Sequence, residues 1–69
     1  MKIAIIGVGL IGGSIALKFR EKNFGAEFIG IDKSETHLQE AQELGIIDRF
    51  ENFENGIKNA DLIITAIPV

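Results

Sequence analysis

Residues 3–14, Ile-Ala-Ile-Ile-Gly-Val-Gly-Leu-Ile-Gly-Gly-Ser, constrain the fold of this chain more than any other stretch. Four apolar residues in a row, three of them β-branched (Ile3, Ile5 and Ile6), suit a strand covered on both faces. The strand then breaks on glycine. Gly7, Gly9 and Gly12 follow the spacing G-x-G-x-x-G, and each would serve a different purpose. Gly7 permits a tight turn off the strand, Gly9 lets a phosphate approach the backbone, and Gly12 lets the next helix pack closely on the strand. Val8, Leu10 and Ile11 fill the turn between them. The free N–H groups at the helix start, with the helix dipole behind them, attract an anion.

Glycine spacing alone is weak evidence, so its context decides. A dinucleotide-binding turn needs a strand before it, a helix after it and an acidic residue about 20 positions on. Leu10 to Lys22 has no proline, and Ile11, Ile15 and Phe19, with Leu10 and Leu17, give it an apolar stripe. Arg20, Glu21 and Lys22 provide its solvated end. After a return over residues 23–26, in which Asn23 and Gly25 tolerate a left-handed backbone, Glu27 to Asp32 reads as a second strand. It ends in Asp32, twenty residues after Gly12. At the C-terminal edge of a parallel sheet, the Asp32 carboxylate can accept hydrogen bonds from adenosine ribose hydroxyls and repels a 2′-phosphate. That favours NAD over NADP. Lys33 pulls the other way, since a cation there could offset Asp32 or meet a 2′-phosphate, although a solvated loop lysine is the commoner case. The plainer alternatives are a glycine-rich turn without a ligand and an Asp32 that only opens the next helix.

Ser34 is a good N-cap for a second helix, with Glu35 in its first turn. Leu38, Ala41 and Leu44 mark its buried face, and Gly45 stops it. His37, the only histidine, falls beside Glu35 and Gln39 on the polar side and reads as a surface residue. Ile46 to Phe50 reads as a short third strand. Asn52 caps a brief third helix over Phe53 to Asn59, weakened by Gly56 by roughly 1 kcal/mol relative to alanine. Asp61 leads into an apolar fourth strand, Leu62 to Ala66, which Pro68 ends because it cannot donate to a ladder.

The alternation β-α-β-α-β-α-β without a hairpin signal implies a parallel sheet with right-handed crossovers. The expected fold is α/β, a Rossmann-type doubly wound sheet in the order 3-2-1-4. Strand four would then carry a bare apolar edge, an aggregation liability. Residues 1–69 are therefore expected to be the first half of a longer dinucleotide-binding domain, marginally stable or self-associating when isolated.

Composition closes off other classes. Net charge is −3 with both signs interspersed, so nucleic-acid binding has no electrostatic support. No apolar run approaches the roughly 18 residues of a membrane span. Lys2 precedes only a short apolar run, unlike a secretory signal. There are no cysteines, which removes disulfides and thiolate metal sites; no metal site is expected, and the cytoplasm is the expected compartment.

Beyond these readings, four segments resemble the N-terminus of the prephenate dehydrogenase family. They are Gly7 to Lys18 (G-V-G-L-I-G-G-S-I-A-L-K), Ile29 to Asp32, Ala41 to Asp48 (A-Q-E-L-G-I-I-D) and Asn59 to Val69 (N-A-D-L-I-I-T-A-I-P-V). The likeness spans essentially the whole chain. It implies oxidative decarboxylation of prephenate, or of arogenate in close relatives, on the route to tyrosine, with hydride passing to the nicotinamide. It also implies that Gly7, Val8, Gly9, Leu10, Ile11 and Gly12 contact the pyrophosphate and that Asp32 holds the ribose. Ala66, Ile67 and Pro68 would lie along the cofactor past strand four. The family's catalytic histidine, its partner serine and its substrate-binding arginines come from later segments. His37 and Ser14 do not match them, so no catalytic residue is expected in this segment. A helical domain that forms the homodimer would also lie beyond it.

Three other readings share the same nucleotide turn: another NAD(P)-dependent reductase of the β-hydroxyacid or imine type, a non-catalytic NAD-sensing module, and an inactive fragment. The sequence after Val69 would separate the enzymes, and ligand binding would separate the last two.

Overall fold

The computed structural model describes residues 1–22 and 25–66, apart from the side chains of Leu10, Ile11 and Gly12. Seven elements alternate: β1 (Lys2–Ile6), α1 (Leu10–Lys22), β2 (Glu27–Ile31), α2 (Glu35–Glu43), β3 (Arg49–Phe50), α3 (Phe53–Lys58) and β4 (Leu62–Thr65). All strand pairs are parallel, in the order β3-β2-β1-β4. This is the Rossmann-type arrangement that the alternation predicts. The strongest strand pattern in the sequence lies at its centre. In β1, Ile3, Ala4 and Ile5 are fully buried, as are Phe28 and Ile29 in β2. Each large side chain buried this way contributes about 1.5–3 kcal/mol.

Two glycines show how the helices flank β2. A Cβ on Gly30 would stand 2.5 Å from Ile47 Cδ1, 3.2 Å from Leu38 Cδ2 and 3.3 Å from Val8 Cγ1. On the other face, a Cβ on Gly56 of α3 would collide with Ile31. Gly30 and Ile31 are neighbours in a strand, so α2 and α3 lie on opposite sides of the sheet. Gly56 thus has a packing role in α3 that outweighs its poor helix propensity. Helix α1 shares the α2 side, where Gly13 meets the Ile46 side chain.

The buried face of α1 differs from the expected isoleucine stripe. Gly13 and Ala16 are buried, while Ile15 and Leu17 are 43% and 45% exposed. Small residues three apart let the helix approach the sheet, and the larger ones fall to its flanks. Leu44, expected on the buried face of α2, is 73% exposed. It is the C-cap rather than a residue of the helix body.

The third strand is shorter than expected, and helix capping explains why. Gly45 has φ +74°, its N–H donates to Gln42 O, and the Ile46 N–H donates to Ala41 O. That is the Schellman pattern of a helix end. Having donated to α2, Ile46 cannot join a ladder with β2, and Ile47 turns inward to fill the core at 2% exposure. Pairing starts only at Arg49, opposite Ile29. Helix α3 ends at Lys58 with Asn59 as its C-cap, and β4 ends at Thr65. In the return between α1 and β2, Gly25 has φ +91°; the Asn23 expectation lies outside the described residues.

The N-terminal edge of the sheet is closed by an ion pair and by aspartates that accept backbone N–H groups. Arg20, in the last turn of α1, grips Asp48 with both guanidinium nitrogens, at 3.0 and 2.7 Å. Asp48 also accepts the Phe28 N–H at 2.8 Å, and the Arg20 guanidinium lies 5.2 Å from the Phe28 ring centroid. Beside them, Asp61 accepts the Lys2 N–H at 2.7 Å, and its own N–H donates to Lys2 O. These contacts fix where β1, β2 and β4 begin.

Candidate functional site

The strand register sets out the opposite edge. Ile6 pairs with Ile31 on one side and Thr65 on the other, so the next residues, Gly7, Asp32 and Ala66, leave the sheet side by side. The Gly7 N–H donates to Ile31 O, and the Ala66 N–H to Ile6 O, both at 2.8 Å. The chain at Gly7 has φ +90°, a conformation that only glycine takes without strain. Gly9 lies at the start of α1, where its carbonyl accepts the Gly13 N–H at 2.7 Å. A Cβ there would make ordinary contact at 3.6 Å with the His37 ring. Internal packing therefore tolerates a side chain at Gly9. The first N–H groups of α1 have no partner within the helix, and its first turn carries no acidic residue to compete for an anion.

Asp32 ties this loop to the second helix. One carboxylate oxygen accepts the Val8 N–H at 2.9 Å, and the other accepts the Ser34 N–H at 2.9 Å. The Ser34 bond is the two-residue Asx turn that aspartate forms readily. His37 Nδ1 lies 3.4 Å from the oxygen that faces Val8. Burial pushes the Asp32 carboxyl up, but the Ser34 and Val8 N–H groups and His37 together outweigh it and hold the group below the ordinary carboxylate range. Asp32 is therefore an anion at neutral pH. A carboxylate has about four acceptor positions, and three neighbours take up three of them here. A ribose hydroxyl can still be accepted.

His37 reached this place through helix geometry. Ser34 is the N-cap and its hydroxyl accepts the His37 N–H at 3.2 Å, so His37 is the third residue of α2. Side chains on a helix lean toward its N-terminus, which brings the imidazole back over the cap to Asp32 and Gly9. Its side chain is half exposed, as its polar helix face predicts. The position three residues past the cap was the signal that it also borders the glycine loop. Gly30 is the other residue that pattern reading passed over. By leaving room for Val8, it seats the loop residue whose N–H holds Asp32. An isolated glycine inside a strand pattern signals such a close approach.

A cavity of about 700 Å³ opens at this edge, lined by Ile6, Gly7, Ile31, Asp32, Lys33 and residues 51–53. Its size falls within the usual range for small-molecule and cofactor sites, about 300–1,000 Å³. Glu51, Asn52 and Phe53 come from the turn into α3, which carries no nucleotide motif in sequence. A second cavity of about 350 Å³ lies between α1 and α2. It touches the glycine loop but includes neither Gly7 nor Asp32, so the first is the candidate site. Ile67 and Pro68 lie outside the described residues, and nothing is described of the side chains of Leu10, Ile11 and Gly12. Among the described residues, no group of three or more His, Cys, Asp and Glu side chains could hold a metal ion.

The residues present fit the adenosine and pyrophosphate half of a dinucleotide. They combine a bare glycine loop at a helix start, an ionised acceptor beside it and a cavity between them.

Comparison with known proteins agrees with this geometry. Residues 15–69 match the family model described as prephenate dehydrogenase, nucleotide-binding domain. The chain is 46% identical over 68 residues to a prephenate dehydrogenase of Bacillus subtilis (strain 168), covering 97% of this chain and 18% of that protein. It is 44% identical over 68 residues to a prephenate dehydrogenase of Lactococcus lactis subsp. cremoris (strain MG1363), covering 99% of this chain and 19% of the relative. The chain thus spans about a fifth of the curated relatives it matches. Among solved structures, Synechocystis arogenate dehydrogenase superposes with a TM-score of 0.83 at 29% identity, over 99% of this chain and 24% of that one. A prephenate dehydrogenase from A. aeolicus, solved with hydroxyphenyl propionate and NAD+, gives 0.85 at 28% identity, over the same shares. By sequence and by fold, the chain belongs to the family of prephenate dehydrogenase nucleotide-binding domains.

Proposed function

We propose that this chain is the NAD-binding part of a prephenate dehydrogenase, an enzyme that oxidatively decarboxylates prephenate, or arogenate, on the route to tyrosine. The observation that carries the cofactor half of this reading is the Asp32 carboxylate. It is ionised, held by Val8 and Ser34, and placed beside Gly7 at the sheet's C-terminal edge. The substrate half is supported by the relatives' names and by the family to which the chain belongs.

In this reading the nicotinamide supplies the hydride acceptor, and the chain's own residues bind and orient. Gly7, Val8, Gly9, Leu10, Ile11 and Gly12 present backbone N–H groups and the α1 dipole to the pyrophosphate. Asp32 accepts from the adenosine ribose, and its charge disfavours a 2′-phosphate, so NAD is the cofactor. Lys33 borders the same cavity. Ala66 leaves β4 beside this edge, and the resemblance implies that Ala66, Ile67 and Pro68 lie along the cofactor. The groups that move protons and hold the substrate's carboxylates belong to other parts of the full protein. The resemblance further implies a homodimeric, cytoplasmic enzyme with a helical second domain. No helix among the described residues is long and apolar enough to cross a membrane.

The test is to incubate the full-length protein with prephenate and NAD, then with arogenate, following reduced cofactor and carbon dioxide together. Stoichiometric appearance of both is the expected result. NAD binding without turnover of either substrate would replace this reading with another reductase or a sensor module.

A further inference from the structure

We propose that His37 makes the choice between NAD and NADP depend on pH, by setting the net charge beside the ribose acceptor Asp32. This rests on the reading that Asp32 holds the adenosine ribose.

The imidazole sits at the junction of the loop, the second strand and the second helix. Nδ1 is 3.4 Å from an Asp32 carboxylate oxygen, and a Cβ on Gly9 would lie 3.6 Å from the ring's Cε1 and Nδ1. An ionised carboxylate can only accept, so Nδ1 beside it carries the proton in the neutral ring, and Nε2 is left as an acceptor. With half its surface exposed, the ring is in contact with solvent.

Few other charges face it. Asp32 comes from the end of β2, with Lys33 next in the turn. On α2, Glu40 lines the same inter-helix cavity one turn on. From α1 and the loop before it, the cavity is lined by Val8, Gly9, Gly13, Ser14 and Leu17, none of which is charged. A proton added to His37 is therefore the change that alters the local charge at this corner, since the residues lining it from α1 and the loop carry none.

The consequence differs between the two cofactors. With a neutral imidazole, Asp32 presents its full charge and repels a 2′-phosphate, which carries about −1.5 to −2 at neutral pH. With an imidazolium, the Asp32 charge is offset by a cation 3.4 Å from its carboxylate. The ribose hydroxyls of NAD gain or lose little from the change, so discrimination against NADP weakens as pH falls.

Binding of NAD and of NADP to the full-length protein is measured at pH 5.5 and 8.0, for the wild type, His37→Gln and His37→Lys. Glutamine keeps a donor toward Asp32 without the titration, while lysine carries a fixed charge. In the wild type, the ratio of NADP to NAD dissociation constants should fall by about fivefold to tenfold from pH 8.0 to 5.5. In His37→Gln it should change only by the phosphate's own ionisation, about twofold, and in His37→Lys it should be low at both values. Equal profiles for the wild type and His37→Gln overturn the proposal, as does a wild-type ratio that does not move. Failure of the wild type to bind NAD at either pH overturns the parent reading instead. Matching thermal midpoints of the three proteins show that folding is not the variable.

Discussion

Asp32 and Asp48 stand at opposite ends of the same strand pair, and both are aspartates that accept a backbone N–H. Asp48 takes the Phe28 N–H at the start of β2, and Asp32 takes those of Val8 and Ser34 beyond its end. Both carboxyls lie below their ordinary range. Arg20 is the main cause for Asp48, reinforced by the Phe28 N–H against some burial. For Asp32 burial acts in the opposite sense, and the Ser34 and Val8 N–H groups with His37 prevail. The partners separate their roles. A bidentate arginine occupies Asp48 and ties α1 to β2 and to the residue before β3. Asp32 faces a cavity, and the side chain against its carboxylate is His37, at 3.4 Å. A carboxylate satisfied by a permanent cation holds a fold together; one satisfied by backbone donors is ionised yet still able to accept.

This contrast can be broken most forcefully through the seat of the loop. Gly30→Val should cost about 3 kcal/mol of stability, because the added atoms meet Ile47, Leu38 and Val8 in a filled core. It should also weaken NAD binding, since Val8 must move; thermal unfolding and a titration of the full-length protein check the two effects. Asp48→Ala should cost about 1–2 kcal/mol by leaving the Phe28 N–H without its acceptor. NAD affinity should not change, and a fall in affinity would show that the two ends are not separate. Arg20→Ala should cost about 1 kcal/mol, the sum of an ion pair about one third exposed and a cation–π contact.

The smallest effect is acid sensitivity. Both carboxyls are depressed in the folded state, so the stability they add is fully present above the unfolded value of about 3.9. It is lost as pH falls through the lower folded values. Arg20→Ala removes the main cause for Asp48 and should flatten the stability profile below about pH 4, leaving the part that belongs to Asp32. An unchanged profile would mean that Arg20 is not what depresses Asp48.

The architecture was legible because its signals are local. The apolar run in β1, the caps Ser34 and Asn52 and the stop at Gly45 each act over a few residues, and the strand order follows from their alternation. The errors came where one group served two elements. Ile46 reads as strand by composition, but its N–H is committed to capping α2. Ile15 and Leu17 look like a buried stripe, yet Gly13 and Ala16 take the contact because α1 must come close. At the candidate site, Gly7, Gly9 and Asp32 announce themselves by spacing. Gly30 and His37 do not, because their roles depend on what lies across the sheet from one and behind the N-terminus of the other.

The role of Asp32 as the ribose acceptor is tested most directly by calorimetric titration of NAD and NADP into the full-length wild type and its Asp32→Asn variant. Loss of charge-assisted hydrogen bonds worth about 1.5–3 kcal/mol should weaken NAD by tenfold or more and narrow the gap to NADP, and the unfolding temperature should fall as well, because the amide can accept only one of the Val8 and Ser34 N–H groups. Unchanged affinity for both cofactors would contradict the account and reduce Asp32 to a turn residue.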